Sequence, residues 1–388
     1  MSVWDVLVGQ QRAVERLQAA AHDAREALAG RPSPAMTHAW LLTGPPGSGR
    51  SNAALAFAAA LECEADVPGC GTCHACRTVL ERAHGDVRVV ESETLSLGVG
   101  DVRRLVHVAQ ERPANGRWTV LLLEQADRLT DEAANALLKT LEEPPPRTVW
   151  LLCAPTSEDV LPTVRSRCRP IALAAPSVRA IATLLESEGV DPSMAAFCAR
   201  ASLGHVGRAR GLARDEASRL RRADVLRVPL QVDSVGGCIV AAANLVEVAQ
   251  ADAEVAHAGR EEQERADLEF VVGDPRDAKG RSRGAVGAFK GLAEDQKRRR
   301  TRTVRDSLDR AFIDLVSFYR DVLAVQLGTD VDLVNADAAP EIERIAHVST
   351  PEATLRRIDA VLAARTAIDG NVAPLLAVEA MTLALRAG

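Results

Sequence analysis

Aromatic residues are the scarcest feature of this sequence: its 388 residues include one Tyr, four Trp and six Phe, 3% in all. Sheet proteins rely on aromatic and β-branched side chains, so this shortage argues against an all-β architecture. Alanine, leucine, valine and arginine dominate instead, and apolar residues make up 47% of the chain. The composition favours helices around buried cores, and the length allows two or three domains.

The sequence also lacks a strong charge excess, a long apolar run and a leader pattern. A net charge of −6 excludes a protein that coats nucleic acid through its overall charge. No apolar run approaches the roughly 18 residues of a membrane-spanning helix, so we expect no membrane span. Its early acidic and polar residues are unlike a signal peptide, and we expect a cytoplasmic protein. In that compartment its eight cysteines are expected to be thiols or metal ligands.

The most informative stretch is AWLLTGPPGSGRS, residues 39–51. A short apolar strand, a glycine-rich turn and an alanine-rich helix form the context of a phosphate-binding loop. Glycines let backbone N–H groups converge on an anion, and the helix N-terminus adds partial positive charge. The motif has lysine where this sequence has arginine, so nucleotide binding is open at this point. The candidate loop residues are Gly44, Gly47, Gly49, Arg50 and Ser51.

A second pattern, C-x6-C-x2-C-x2-C, follows the helix of this loop. Four thiolates in so short a segment suit tetrahedral zinc, and the glycines between them allow tight turns. Free cysteines in a surface loop are the alternative. Because the four thiols leave no open coordination position and no general base adjoins them, we expect structural zinc. The ligands are Cys63, Cys70, Cys73 and Cys76.

A third pattern lies at the end of the apolar strand Trp118 to Leu123. Nucleotide-hydrolysing strands of this kind end in Asp-Glu, where the first carboxylate holds Mg²⁺ and the second polarises water. Here the pair is Glu124-Gln125. An amide accepts no proton from water, so we expect weak or absent ATP/Mg²⁺ binding and no efficient hydrolysis. A core strand with a merely polar end is the alternative.

Beyond residue 176 the strand signals fade and amphipathic helices dominate. We expect an α/β domain over residues 1–174 with the zinc module at 63–76, a small helical domain over 175–222 and an all-helical region over 223–388. Within that region a charge-dense segment, about 252–303, is predicted to be flexible, with a loop at about 271–288. A basic block in it is either a solvated helix end or a contact to DNA or a partner. The block comprises Lys297, Arg298, Arg299, Arg300, Arg302 and Arg305.

Several stretches together resemble the AAA+ clamp-loader proteins of bacterial DNA polymerase III. They are Val8-Gly9-Gln10, the loop 44–51, the four cysteines, the helix LTDEAANALLKTLEEPP at 129–145 and Ser166-Arg167-Cys168. The resemblance is strong over residues 1–220 and mostly architectural beyond. It implies an α/β AAA+ P-loop domain, a parallel sheet flanked by helices, with an inserted zinc module. A helical lid domain and an all-helical C-terminal collar domain would follow.

Within this family, site residues separate the ATP-hydrolysing motor subunit from a non-hydrolysing partner. The motor has lysine at the position of Arg50 and Asp-Glu at Glu124-Gln125, and its second sensor arginine falls at Gly207. Arg167 is retained, and in the family this arginine reaches toward the γ-phosphate that a neighbouring subunit binds. The resemblance therefore implies a stator-like subunit that supplies an arginine finger in trans.

The resemblance also implies cofactors and partners. These are structural Zn²⁺, a weak or absent ATP/Mg²⁺ site, the gamma/tau ATPase subunits and the delta subunit, with the sliding clamp and primed DNA reached through the complex. No membrane is implied. Two alternatives stay open: an ATP-hydrolysing motor subunit of the same complex, and a stand-alone zinc-stabilised binding protein with a decayed P-loop.

Overall fold

The computed structural model describes residues 2–90, 97–114, 116–273 and 283–388. Two compact units divide the chain, Met1–Arg214 and Asp215–Gly388. The first contains a parallel sheet and the second is built from helices. The three-part division drawn from the sequence stays a prediction.

The described part of the first unit contains a five-stranded parallel sheet in the order β2-β3-β4-β1-β5. The three central strands β3, β4 and β1 are continuous apolar runs, as expected when helices cover both faces of a sheet. The edge strands β2 and β5 each contain an arginine. The strands are β1 Ala39–Thr43, β2 Val87–Val90, β3 Thr119–Leu123, β4 Thr148–Ala154 and β5 Arg169–Ala172.

Helices cover the two faces of this sheet. Side chains alternate along a strand, so Leu42 and Leu122 pack on one face while Leu41 and Leu121 pack on the other. The first face is covered by α1 Gln11–Leu28 and α2 Arg50–Glu62, with α3 His74–Leu80 beside α2. The second is covered by α4 Val99–Ala109 and α5 Asp131–Glu142, and the short α6 Pro162–Arg165 precedes β5. The AAA+ P-loop fold class predicted from the sequence is confirmed.

Three short helices after β5 share a small core of their own. They are α7 Val178–Ser187, α8 Pro192–Ala201 and α9 Val206–Arg214. Ile181, Leu185 and Cys198 are completely buried in this core. The Ser177 hydroxyl accepts the Ala180 N–H at 3.2 Å and thereby caps the start of α7.

The second unit is a helical bundle around buried aromatic side chains, among them Phe312, Phe318 and Tyr319. A polar network crosses this core, in which Arg222 faces Asp314 with Nε 3.3 Å from Oδ1. Asp321, also fully buried, accepts the Asn335 N–H at 2.7 Å. The helices are α10 Glu216–Gln231, α11 Val235–Val272, α12 Arg283–Gln326, α13 Ala339–Val348, α14 Pro351–Asp369 and α15 Pro374–Ala387.

The segment 252–303, predicted to be flexible, is largely helical, and this corrects the prediction. It forms the end of α11 and the start of α12, and residues 274–282 lie outside the described residues. Glu261 forms an ion pair with Arg300, and Glu264 forms one with Arg299. The high charge density thus pairs one helix with the other instead of keeping the chain extended.

By length and composition alone, α11 passes as a helix able to cross a membrane, although only 28% of its most apolar stretch is buried. The same helix buries Cys238, Ala242 and Val246 in the core of the second unit. Core helices of soluble proteins have the same composition, so this feature is weak support for a membrane span.

Candidate functional sites

The phosphate loop connects β1 to α2, as the sequence predicted. Gly49 occupies the N-cap position of α2, so Arg50 and Ser51 begin the helix. Gly47 has a φ of +82° and touches the start of α9: a Cβ there would lie 2.5 Å from the Cα of His205. The loop therefore needs glycine at this position for two reasons, the left-handed backbone and the close approach of His205. His205 was not singled out from the sequence.

Arg50, which replaces the motif lysine, is partly buried above the sheet. Desolvation lowers its pKa, against the opposing influence of Cys153, Asp127 and Asp159. Its Nη1 atom is buried and has no hydrogen-bond partner within the described ranges. A guanidinium is a planar fork rather than a point charge, so arginine is not equivalent to lysine at this position.

The end of β3 holds an ion pair that the sequence did not reveal. Arg82, in the turn after α3, donates from Nη2 to Glu124 Oε1 at 2.8 Å. The Glu124 side chain is only 12% exposed. Next to it, the buried Oε1 of Gln125 has no hydrogen-bond partner in the described chain. A cation of the protein thus occupies one oxygen of the carboxylate that would hold Mg²⁺, and the following position has no carboxylate.

Gln10 joins the phosphate loop to the end of the sheet. Its buried amide donates to Ala174 O at 2.6 Å and to Ser48 O at 3.2 Å, and its Oε1 accepts the Ala174 N–H at 3.1 Å. Gln10 belongs to the Val8-Gly9-Gln10 stretch that carried the family resemblance. Its role here is structural, because its amide forms hydrogen bonds with the backbone of the phosphate loop and with the backbone that follows β5.

Gly207, the position predicted to correspond to the second sensor, lies in the first turn of α9 beside the His205 ring. A Cβ at Gly207 would lie 3.3 Å from His205 Cε1. A glycine offers no cation to a phosphate, so this position supplies no sensor charge.

The four cysteines converge as predicted, with their Sγ atoms all within 4.8 Å of one another. Tetrahedral zinc with Zn–S bonds of about 2.3 Å needs sulfur atoms about 3.8 Å apart, so small adjustments fit the ion. The N–H groups of Thr72 and Cys73 donate to Cys70 Sγ at 3.4 and 3.3 Å. These bonds lower the pKa of the Cys70 thiol to about 6. Backbone amides that stabilise a thiolate are what a zinc ligand requires.

The zinc module is packed into the first unit. The Val3 N–H donates to Gly69 O at 3.0 Å, and Trp4 covers the same glycine, where a Cβ would lie 2.7 Å from the indole Nε1. Arg25 of α1 donates to Cys63 O at 2.7 Å. Two separate parts of the chain, the N-terminal turn and α1, therefore contact this module.

Arg167 lies just after α6 and is 33% exposed. Its Nη1 donates to Thr163 O at 2.7 Å and to Ser166 Oγ at 3.2 Å, and its Nη2 forms an ion pair with Glu142 at the end of α5. Within the described residues it makes no hydrogen bond or ion pair to its own phosphate loop. The guanidinium is thus partly accessible, and its contacts are to residues of α5, α6 and Ser166.

The parallel sheet and the phosphate loop define an AAA+ P-loop protein. A sequence model of the family described as DNA polymerase III, delta subunit, matches residues 19–177. The delta' subunit of Bacillus subtilis is 26% identical over 354 residues, which cover 91% of this chain and 92% of that protein. The delta' subunit of Pseudomonas aeruginosa is 40% identical over 162 residues, or 40% of this chain and 49% of that protein.

A gamma/tau subunit of Mycobacterium tuberculosis is 36% identical over 162 residues, and the match spans 28% of that longer protein. A gamma-subunit-related structure from Thermotoga maritima covers 90% of this chain and 93% of its own at 17% identity, with a TM-score of 0.38. A score that low supports no conclusion. These sequence matches agree with the resemblance: the chain is similar to clamp-loader subunits of bacterial DNA polymerase III.

Proposed function

We propose that the chain is a non-hydrolysing, stator-like subunit of a DNA polymerase III clamp loader. The observation that carries this proposal is the end of β3, where Arg82 engages Glu124 and Gln125 stands in place of the catalytic carboxylate. Turnover needs Mg²⁺ on the first residue and polarised water on the second. Neither requirement is met by this arrangement, so the chain alone has neither polymerase nor efficient ATPase activity.

Arg167 supplies the chemistry that the subunit still contributes. It acts as an arginine finger on nucleotide bound by a neighbouring ATPase subunit of the gamma/tau type. Its partial exposure supports this role, as does the fact that its described contacts are to Thr163, Ser166 and Glu142. The delta subunit, the sliding clamp and primed DNA are further partners, reached through a cytoplasmic complex that acts in DNA replication.

Arg167→Ala in the reconstituted complex tests the finger. We expect unchanged assembly on gel filtration and an ATPase rate lowered by about 10²-fold or more, because such fingers contribute about 10³–10⁵ in rate. Arg165→Ala, which removes a neighbouring guanidinium, is the matched control. A complex of normal composition and full ATPase activity with Arg167→Ala would show that Arg167 is no finger.

The two alternative functions predict different results for the isolated chain. A motor subunit would hydrolyse ATP alone with DNA stimulation, and Ser51→Ala would abolish that activity. A stand-alone binding protein would not co-elute with a gamma/tau-type ATPase. We expect co-elution and no turnover above background, and either opposite result would overturn the proposal.

A further inference from the structure

The resting position of Arg167 is set by the ends of two helices. Glu142 is the last residue of α5, and Thr163 is in the single turn of α6. The Glu142 carboxylate and the Thr163 carbonyl both accept from Arg167, each from a different terminal nitrogen. Helix C-terminal ends carry partial negative charge, so a guanidinium is favoured at this place.

These contacts leave part of the guanidinium available. Arginine has five N–H donors in a fixed plane. The contacts to Thr163, Ser166 and Glu142 use three of them. The remaining donors keep the planar geometry that binds phosphate oxygens bidentately.

An unrestrained arginine side chain samples many rotamers, and part of this conformational entropy is lost whenever the side chain is fixed on a phosphate. An arginine already held by an ion pair and a carbonyl has lost that freedom before the neighbour docks. Preorganised hydrogen-bond donors stabilise a transition state without losing conformational entropy at the moment of reaction.

We propose that Glu142 is a positioning residue that holds Arg167 ready for the neighbouring subunit's nucleotide. This inference rests on the proposed function of Arg167. The alternative is an inhibitory role, called a latch here, in which Glu142 would compete with the phosphate for the Arg167 guanidinium. The two roles predict opposite signs when the Glu142 side chain is removed.

The experiment measures kcat and KM for ATP of the reconstituted complex carrying Glu142→Ala, Glu142→Gln, Arg167→Ala or Glu142→Ala with Arg167→Ala. We expect Glu142→Ala to lower kcat by about three- to tenfold with KM unchanged, because the finger acts only in the transition state. Glu142→Gln keeps an oxygen that accepts from Nη2 and should recover most of this loss. The double variant should equal Arg167→Ala alone.

Glu143→Ala is the control, since the Glu143 side chain is exposed and makes no hydrogen bond or ion pair in the described structure. A higher kcat for Glu142→Ala would show a latch and overturn the proposal. An unchanged kcat for Glu142→Ala would also overturn the proposal. So would an equal fold loss in kcat when Glu142→Ala is added to Arg167→Ala, because the effect of Glu142 would then not act through Arg167. If Arg167→Ala itself has no effect, the proposed arginine finger is wrong. This result differs from one in which Arg167→Ala lowers kcat and Glu142→Ala does not, which contradicts only the role of Glu142.

Discussion

The two ends of α2 contain two sites that differ in how complete they are. At the N-terminal end, the phosphate loop keeps its glycines and Ser51 but has Arg50 in place of lysine. At the C-terminal end, Cys63 caps the helix and joins three further cysteines whose four Sγ atoms are placed as tetrahedral zinc would need them. One helix therefore connects a phosphate loop with a departure from its motif to a cysteine cluster that could hold a metal ion.

The difference follows from where each site gets its groups. The zinc ligands come from one short segment and need only each other. The nucleotide site needs groups from the loop, from β3 and from the region of α9, and each of these contributes a substitution: Arg50, Gln125 and Gly207. What persists at the N-terminal end is the fold, because Gln10 still joins Ser48 of the phosphate loop to Ala174, just after β5.

The largest effect we predict is at the zinc end. Chelation of the metal, or Cys76→Ser, should lower the melting temperature of the first unit by about 10 °C or more, since structural zinc contributes folding free energy directly. Elemental analysis should find about one zinc per chain. Cys238→Ala, which removes a thiol of the second unit, should leave the zinc content unchanged. A metal-free chain with an unchanged melting temperature would contradict this prediction.

A matched pair of glycines offers a smaller and more direct comparison of the two ends. Gly47 and Gly69 have φ values of +82° and +87°, and a Cβ would meet His205 at the first and Trp4 at the second. At Gly47 the Cβ would lie 2.5 Å from the backbone Cα of His205, so we expect Gly47→Ala to lower the free energy of unfolding by about 2–4 kcal/mol through backbone strain and overpacking. Gly69→Ala should cost about 1–3 kcal/mol, because the Cβ would meet side-chain atoms of Trp4 and Val3, which can move more easily than backbone.

Denaturant unfolding of both variants measures this difference, with Gly100→Ala as the control, since its Cβ would meet nothing within 4 Å. A larger cost at Gly69 would contradict the prediction and show that Trp4 and Val3 cover the four-cysteine segment more rigidly than His205 covers the phosphate loop.

Much of the first unit could be predicted from the sequence because its signals are local. Apolar runs marked the central strands of the sheet, whereas β5, with the sequence RPIA, has no such run. The four clustered cysteines lie within one short segment. The pair Arg82–Glu124 spans 42 residues, and no local pattern indicates it. The contact of His205 with Gly47 is likewise set by tertiary structure.

In the second unit we interpreted the high charge density of the sequence as flexibility. Acidic residues on α11 and basic residues on α12 are uninformative singly, but they pair once the helices lie side by side, as Glu264 does with Arg299. The same pairs bear on the basic block: Arg299 and Arg300 form ion pairs with glutamates of α11, so less of its charge is available to DNA.

The smallest expected effect concerns the N-terminal end of α2, and it tests whether the nucleotide site lacks one group or several. Gln125→Glu restores the missing carboxylate. We expect ATP turnover of the isolated chain to stay at background, because Arg82 still engages Glu124 and Arg50 still replaces lysine. The Gln125 Oε1 atom is buried without a described partner, so a carboxylate there should also cost about 1–3 kcal/mol of stability. Phosphate release at saturating Mg²⁺ and ATP measures turnover, with Glu124→Gln as the control. A tenfold rise from Gln125→Glu alone would mean that a single residue separates this chain from an active ATPase, and the contrast between the two ends of α2 would then be much smaller than the structure indicates.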